Sequence, residues 1–270
     1  MGRLYSVRTG EHVNLDEVVS RIRIPHIVFF GETHENPSVI DWELRVLQAL
    51  YTLASKSNAE FIVGMEHFNI EQQDMIDAYI KGEISWRDLV DIYTGGPEGF
   101  NLNYYKPVLD FARVHSIEIV GLMPPRTDAK IIARKGLDQS ILAKYGLYPD
   151  DVSRYPLEYR ERLMDLFPRE GPMARIDKEK LVLAQSFKDQ VMAKRIVEKL
   201  GWRTLFYAIM GSGHCEHAGS VPDRVRALSK IDSSITVITV RLKNLEENDK
   251  DVRDRLAGNK YIIADFMLII

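Results

Sequence analysis

Two kinds of hydrophobic pattern alternate along the chain. Short, nearly continuous apolar runs predict β-strands, and stretches with apolar residues at every third or fourth position predict helices. The predicted strands cover 26–30, 60–65, 117–123, 204–210, 234–242 and 260–268. The predicted helices cover 38–56, 69–81, 104–115, 126–145, 155–167, 176–200, 221–230 and 246–257. Continuous apolar strands are typical of sheets covered on both faces, so the fold class is α/β, with a mainly parallel sheet flanked by helices.

The longest stretch without a predicted strand lies between the third and fourth strands. Residues 124–203 contain several helical patterns punctuated by prolines. We therefore expect a helical insertion, or cap, over the sheet. With no internal repeat in the sequence, residues 1–270 are interpreted as a single α/β domain that includes this insertion.

Charge and cysteine content narrow the class of protein. Lys and Arg total 36 against 39 for Asp and Glu, a net charge of -3, so no basic excess indicates a nucleic-acid partner. The single cysteine, Cys215, fits a reducing compartment. No apolar run approaches the roughly 20 residues of a transmembrane helix, and the first residues show no export signal. A cytoplasmic location is expected.

Polar residues that suit catalysis follow three of the predicted strands. The first strand leads into Glu32 and His34, the second into Glu66, and the fourth into His214. In open α/β sheets, ligands bind beyond the carboxyl ends of the strands. If these strands run parallel, the four side chains converge on one edge of the sheet.

Two imidazoles with carboxylates form a mixed nitrogen and oxygen set that suits Mn, Co, Fe or Zn. We assign His34, Glu66 and His214 as candidate metal ligands. Glu32 is then a candidate general base toward a water molecule. The alternative is that each histidine is an ordinary hydrogen-bonded loop residue, and the sequence alone leaves this open.

Other residues near these elements carry secondary expectations. Asp189 falls on the apolar face of the 176–200 helix, where it must pair either with a cation such as Arg126 or with one of the site histidines. Strand alternation places His67 on the face opposite to Glu66. The glycine-rich, aromatic segment 93–105 is interpreted either as a lid or as a self-packed loop.

Five ordered motifs together resemble the ChaN-like haem-binding proteins, in the wider grouping that includes Tiki, TraB and the erythromycin esterases. The motifs are Gly31–Pro37; Met65–Phe68 with Glu71–Gln73 and Tyr79–Gly82; Tyr105–Pro107 leading to Pro125–Arg126; Asp189–Ala193; and Gly211–His214 with Gly219–Pro222. The resemblance covers most of the chain. It implies an α/β body with a helical lobe.

The resemblance also implies ligands and partners. Its lipoprotein members bind haem for iron uptake as paired subunits with paired haems, so a haem ligand and a homodimer are expectations here. Candidate cofactor contacts are Arg126, Asp189, His217 and Tyr105. Candidate axial ligands are His217 and the tyrosines of the insertion, Tyr145, Tyr148, Tyr155 and Tyr159. Met123 stands where the family pattern leads us to expect Asn.

Two functions therefore remain as hypotheses. The first is a haem- or metalloporphyrin-binding protein, which the resemblance favours. The second is a metal-dependent hydrolase, for which the esterase and Tiki relatives imply chemistry at Glu32, His34, Glu66 and His214. The residues themselves favour the second hypothesis.

Overall fold

A single eight-stranded sheet forms the centre of the molecule. The structure is a computed structural model, and it describes residues 2–96, 98–167, 177–216, 218–229, 234–241 and 264–270. The strands are β1 (Arg3–Ser6), β2 (His12–Val13), β3 (His26–Glu32), β4 (Glu60–Asn69), β5 (Glu118–Met123), β6 (Thr204–Gly211), β7 (Ser234–Arg241) and β8 (Phe266–Ile269). Their order across the sheet is β2-β1-β8-β7-β3-β6-β4-β5.

The sheet is parallel except at one edge. Strands β3 to β8 pair in parallel, whereas β1 runs antiparallel to both β2 and β8. Strand β6 lies between β3 and β4, although it follows both in the chain. This return of the chain places the carboxyl ends of β3, β6 and β4 side by side. The predicted α/β class with a mainly parallel sheet is confirmed.

Helices cover both faces of the sheet. In chain order they are α1 (Leu15–Ser20), α2 (Pro37–Lys56), α3 (Gln73–Lys81), α4 (Trp86–Thr94), α5 (Lys106–Val114), α6 (Arg126–Lys135), α7 (Gln139–Lys144), α8 (Pro149–Ser153), α9 (Leu157–Leu166), α10 (Lys178–Glu198) and α11 (Val221–Leu228). Helices α1 to α5 contribute to one core cluster, and α10 and α11 to another on the opposite face.

Strand β3 shows how the two cores share the sheet. All seven of its residues are buried. Val28 and Phe30 pack into the cluster with α2 and α5, whereas Ile27 and Phe29 pack into the cluster with α10 and α11. A strand covered on both faces needs apolar residues at successive positions, which explains the unbroken apolar run in the sequence.

Among the described residues, helices α6 to α10 lie between β5 and β6, the third and fourth of the predicted strands. The predicted helix over 126–145 is wrong in its continuity, because it divides into α6 and α7. Gly136 has φ +90°, a conformation that favours glycine, and Asp138 caps the start of α7 through the N–H groups of Ser140 and Ile141. Helix α3 begins at Gln73 rather than at residue 69, because β4 extends to Asn69 and a short 3-10 turn follows.

Several short elements were not predicted. They are β1, β2, α1, α4 and α8, none longer than nine residues. Elements β1, β2, α1 and α8 have six residues or fewer, which is too few periods for hydrophobic spacing to detect, whereas α4 is as long as the predicted α3 and α5. The predicted helix at 246–257 lies outside the described residues. Of the predicted strand 260–268, residues 260–263 also lie outside them, and β8 occupies Phe266–Ile269.

Within the described part of the chain, no helix is both long and apolar enough to cross a membrane.

The stability of the sheet is expected to depend on pH through His26, at the start of β3. Its ring is 4% exposed, and burial lowers the pKa of His26 from 6.5 to about 4. The unfolded chain therefore binds the extra proton between pH 6.5 and 4. Acidification over this window should cost up to about 3 kcal/mol of the free energy of unfolding through this group.

The test compares the wild type with His26→Gln, whose amide does not titrate and keeps a polar group near Thr236 Oγ1, 2.8 Å from His26 Nε2. Urea unfolding at pH 7 and pH 4.5 should show a smaller loss of stability in the variant than in the wild type. Equal losses in the two proteins would contradict the assignment.

Candidate functional site

Three neighbouring strands deliver the site to one edge of the sheet. Glu32 is the last residue of β3, and Glu66 and His67 lie near the end of β4. His214 ends a short 3-10 turn that directly follows β6. His34 lies two residues beyond β3. Because β6 lies between β3 and β4, these side chains meet across adjacent strand ends.

The first part of the site centres on Glu32. His34 Nδ1 lies 2.7 Å from Glu32 Oε1, and His67 Nε2 lies 2.6 Å from the same oxygen. The hydroxyl of Tyr105 donates to this oxygen at 3.1 Å. Three donors on one carboxylate oxygen fix its position and orient both imidazoles.

The second part centres on His214. Its Nδ1 contacts Oδ1 of Asp189, which projects from α10. The other Asp189 oxygen accepts a 2.6 Å hydrogen bond from the hydroxyl of Tyr159 on α9. The side-chain amide nitrogen of Gln185 lies 3.0 Å from His214 Nδ1 and 3.1 Å from Nε2. Helices of the insertion thus hold the imidazole of His214 in place.

Glu66 connects the two parts. Its Oε1 lies 3.3 Å from His34 Nε2, and its Oε2 lies 3.7 Å from His214 Nε2. The backbone N–H of Gly211 donates to Oε2 at 2.7 Å. Each imidazole therefore has one nitrogen toward Glu66 and the other toward a second carboxylate, Glu32 or Asp189.

The site is closed on most sides and open at His34. The relative exposure is 2% for Glu32, 3% for Glu66, 7% for His214 and 0% for Asp189. The His34 side chain is 39% exposed. A molecule from solvent reaches the cluster along His34.

Burial and charge shift the pKa in opposite directions at Glu32 and in the same direction at Glu43. Burial alone would raise the pKa of Glu32, but the charge of His67 and hydrogen bonds from His34 and His67 lower it below its usual value. Burial and the neighbouring Glu32 charge raise the pKa of Glu43, a fully buried residue of α2, well above its usual value. Glu43 is therefore a neutral acid beside an ionised Glu32.

His34 is shifted toward its protonated form. Burial lowers the pKa of His34, but the hydrogen bond to Glu32 and the charges of Glu66 and Glu32 outweigh this and raise it.

The Cys215 thiol nearby is fully buried, and burial raises the pKa of Cys215 well above its usual value. It remains an unreactive thiol at neutral pH.

Not every predicted site residue lies in the cluster. Asp189 contacts His214 rather than Arg126, and Tyr105 lies behind Glu32. Arg126 is exposed at the start of α6, where its backbone N–H lies 3.4 Å from Glu98 Oε1. His217 lies outside the described residues.

Sequence reasoning did not place His67, Glu43 or Tyr159 in the cluster, although Tyr159 was a candidate axial ligand. Strand alternation separated His67 from Glu66, yet both residues lie in the cluster, His67 against Glu32 and Glu66 against His34. Nothing in the sequence shows that Glu32 turns toward the same side as His67. The contact of Tyr159 with Asp189 could not be predicted, because it depends on how α9 packs against α10.

The donor set has the chemistry of a metal centre. Glu66 lies between His34 Nε2 and His214 Nε2, and the remaining nitrogen of each imidazole lies beside a second carboxylate. Such backing carboxylates fix the ring orientation of metal-bound histidines in proteins. Among the described residues, the grouping with one donor atom from each residue within 4.8 Å of the others is Glu32, His34 and His67, and not the predicted set of His34, Glu66 and His214. Both groupings share His34.

An aromatic segment borders the cluster. The ring of Phe100 lies 4.9 Å from that of His34 and 4.8 Å from that of His67. Behind it, a cleft of about 300 Å³ lies between α4 and residues 98–103. This is the lower end of the volumes usual for small-molecule sites, roughly 300–1,000 Å³.

Comparison with known families matches this architecture to one of them. The family model described as "Haem-binding uptake, Tiki superfamily, ChaN" matches residues 18–225. The chain belongs to this family. The match includes α2 to α10 and every residue of the cluster. No protein with a curated description matches the sequence.

The chain is similar in structure to several solved proteins, to different degrees. ChaN of Campylobacter jejuni, described with cofacial haem binding, is 20% identical and has a TM-score of 0.67, covering 99% of this chain and 96% of that one. A Bacillus cereus protein is 12% identical with a TM-score of 0.50, covering 99% and 94%. An erythromycin esterase mutant in its open conformation is 12% identical with a TM-score of 0.45, covering 90% and 77%.

The geometry predicts that Gly211→Ala displaces His34. A Cβ at residue 211 would lie 2.8 Å from His34 Nε2 and 3.0 Å from its Cε1, closer than contacts allow. Because His34 is partly exposed, its ring should swing outward, away from Glu66, while the fold is kept. Its pKa should then fall toward the value of a free imidazole, as measured by NMR titration.

Gly213→Ala is the matched control, because a Cβ there meets nothing within 4 Å. It should leave the titration of His34 unchanged. If both variants gave the wild-type titration, the contact between Gly211 and His34 would be incorrect.

Proposed function

We propose that this protein binds haem. The observation that carries the proposal is the family match over residues 18–225, which includes both the strand-end site and the helical insertion. The relative from C. jejuni is described as binding haem cofacially. An iron-handling role in the cytoplasm is part of the same proposal.

The chain offers groups that fit haem. A tyrosine phenolate is one of the known axial ligands of haem iron, and it must reach the cofactor from the surface. Among the candidates, the hydroxyls of Tyr145 and Tyr159 donate to Asp128 and Asp189. Tyr148 is 76% exposed, and Tyr155 is half-buried. These two tyrosines, with His217, are the proposed axial ligands.

The remaining proposed cofactor residues divide by exposure. Arg126 is exposed and offers a cation for a propionate group of the porphyrin. Tyr105 and Asp189 are fully buried, so they act by holding Glu32 and His214. A macrocycle larger than the 300 Å³ cleft would keep one face on the surface, which is consistent with a homodimer in which two copies cover paired haems.

Haemin titration tests the proposal. We expect a stoichiometric, shifted Soret band that survives gel filtration. Replacing the axial ligand, in Tyr148→Phe, Tyr155→Phe or His217→Ala, should shift that band and weaken binding at least tenfold, since a metal–ligand bond is lost.

His34→Ala and His214→Ala serve as controls, because the proposed axial ligand lies outside the strand-end cluster. They should still bind haemin. A wild-type protein that fails to retain haemin through gel filtration would refute the proposal.

A second function, metal-dependent hydrolysis, is favoured by one specific observation. Glu66 bridges His34 and His214, and each imidazole is held from behind by Glu32 or Asp189. We propose His34, Glu66 and His214 as ligands of a divalent ion of Mn, Co, Fe or Zn. Such an ion would supply Lewis acidity and an activated water.

The protein groups have distinct roles in this second proposal. Glu32 accepts the Nδ1–H of His34 and leaves Nε2 as the free donor atom. Asp189 does the same for His214. The lowered pKa of Glu32 makes it a weak base, so it positions His34 rather than removing a proton from water.

Metal content tests this proposal separately from haem. His34→Ala and His214→Ala should each lower the affinity for Co²⁺ at least tenfold, because each removes one of three ligands. Isothermal titration and the visible spectrum of Co²⁺ measure the effect. Tyr159→Phe, which leaves all three ligands in place, should bind far better than either alanine variant. Undiminished metal binding in both alanine variants would exclude this site.

A further inference from the structure

A buried arginine lies at the end of a chain of contacts that leads to His214. Arg224 of α11 is 7% exposed, and its guanidinium carbon lies 5.5 Å from the centre of the Tyr159 ring. Tyr159 is fully buried and donates its hydroxyl to Asp189, which in turn contacts His214. Helix α11 is therefore connected to the site through α9 and α10.

The hydrogen bonds of Arg224 go to uncharged groups. Its Nε donates to the backbone oxygen of Gly219 at 2.8 Å, and its Nη2 donates to Ser186 Oγ at 2.8 Å. Its Nη1 donates to the backbone oxygen of Asp151 at 3.2 Å and to Gln190 Oε1 at 2.9 Å. Among the described residues, no carboxylate forms an ion pair with this guanidinium. A buried cation without a paired carboxylate is unfavourable, so its place here needs another explanation.

Arg224 and Asp189 act on different parts of Tyr159. The guanidinium lies over the ring, whose π electrons attract a cation, and the carboxylate accepts the hydroxyl proton. Burial and the Asp189 charge raise the pKa of Tyr159 well above its usual value, whereas the Arg224 charge lowers it. The phenol stays neutral, and the nearby cation makes its hydroxyl a stronger donor to Asp189. Tyr159 thus joins a buried cation to a buried anion.

Arg224 also holds the part of α10 that carries Asp189. Ser186 and Gln190 are at positions i and i+4 of this helix, so they lie on the same side of it, one turn apart. The guanidinium binds both of them. Because Asp189 belongs to that turn, the position of its carboxylate is set by the same contacts.

Gly219 permits the close packing that brings Arg224 to Tyr159. A Cβ at residue 219 would lie 2.6 Å from Pro156 Cδ and 3.5 Å from Tyr159 Cβ, and the residue has φ +82°. Both the space and the backbone conformation therefore favour glycine. Helix α11 begins shortly after it and passes the start of α9. The Gly219–Pro222 motif of the sequence has a structural role in this packing.

We propose that Arg224 is a positioning residue that fixes the carboxylate of Asp189, through Tyr159 and α10, and thereby orients the imidazole of His214. Where it concerns binding, the proposal rests on the second proposed function, in which His214 is a ligand of a divalent ion. The orientation of His214 itself can be tested in the protein without any ion.

Proton NMR of ¹⁵N-histidine-labelled protein at pH 7 measures this orientation. The Nδ1 proton of His214, held by Asp189, should give a slowly exchanging downfield signal in the wild type, identified by its loss in His214→Ala. Arg224→Met removes the charge and all donors, and it should shift or abolish the signal. Arg224→Lys keeps the charge, but one ammonium group cannot reproduce the grip on Ser186 and Gln190, so it should cause a smaller shift.

Arg113→Met is the matched control. The guanidinium carbon of Arg113 lies 4.8 Å from the centre of the Tyr79 ring, and the Tyr79 hydroxyl donates to Asp110 at 2.6 Å. The same arrangement of arginine, tyrosine and aspartate thus occurs between α3 and α5, where the aspartate pairs with Lys106 instead of an imidazole. This variant should leave the His214 signal unchanged.

Tyr159→Phe keeps the ring beside Arg224 and removes only the hydroxyl, so it tests the same path even if Arg224→Met does not fold. It should also shift or abolish the His214 signal. A wild-type signal in Tyr159→Phe or in a folded Arg224→Met overturns the proposal. Equal changes in the Arg113 and Arg224 variants overturn it as well.

Co²⁺ titration measures the consequence for binding. Arg224→Met and Tyr159→Phe should each lower the affinity roughly threefold, because each loosens a ligand without removing it. The double variant should lose less than the product of the two single losses, since both residues act through Asp189. Losses that simply multiply would show that Arg224 does not act through Tyr159.

The two proposals can fail separately. If the wild type binds no Co²⁺ while the His214 signal responds to Arg224→Met, the metal function fails and the positioning role stands. If Co²⁺ binds and the signal does not respond, the metal function stands and the positioning role is overturned.

Discussion

The carboxylates of Glu32, Glu66 and Asp189 are almost completely buried in the cluster beside the strand ends. An isolated buried carboxylate is strongly destabilising, so each must be paired or hydrogen-bonded. Here imidazoles, phenols and a backbone N–H supply those partners. Removing one partner of such a buried pair typically costs about 3–5 kcal/mol. The geometry of the site is therefore enforced by the stability of the fold.

The need to pair these buried carboxylates gives the helical insertion a role in the site beyond covering the sheet. Helix α10 supplies Asp189 and Gln185, and α9 supplies Tyr159. Helix α9 is further tied to the loop after β6 by an ion pair between Arg162 and the buried Glu216. Without these helices, His214 would lose the groups that orient its ring. The insertion and the sheet edge thus form one functional unit.

The sequence was sufficient for the strand-end residues but not for their arrangement. The positions of Glu32, His34, Glu66 and His214 follow from apolar runs and the polar residues after them. Strand order does not, because the return of β6 between β3 and β4 depends on long-range packing that periodicity cannot show. The resemblance to ChaN-like proteins supplied the family, and the family match confirmed it.

The residues that sequence reasoning missed share a physical reason. His67, Glu43 and Tyr159 act through neighbours that are distant in the chain: His67 and Glu43 through Glu32, and Tyr159 through Asp189. Glu43 illustrates the difficulty, since a glutamate within an amphipathic helix ordinarily predicts an exposed position. Once it is buried beside an ionised Glu32, a neutral acid is less unfavourable than a second negative charge, so its pKa is raised. Only the packed structure shows that Glu32 already carries the charge.

The two proposed functions depend on different residues, which makes them separable by mutation. A haem ligand needs an exposed phenol or imidazole and open surface, which the insertion and the cleft beside Phe100 offer. A divalent ion needs converging, preoriented donors shielded from water, and the buried edge of β3, β6 and β4 offers such donors. His34 belongs to both regions, since it is partly exposed and lies between Glu32 and Glu66. His34 is the most exposed side chain among Glu32, His34, Glu66, Asp189 and His214, so a ligand at the outer surface can contact it without entering the buried part of the cluster.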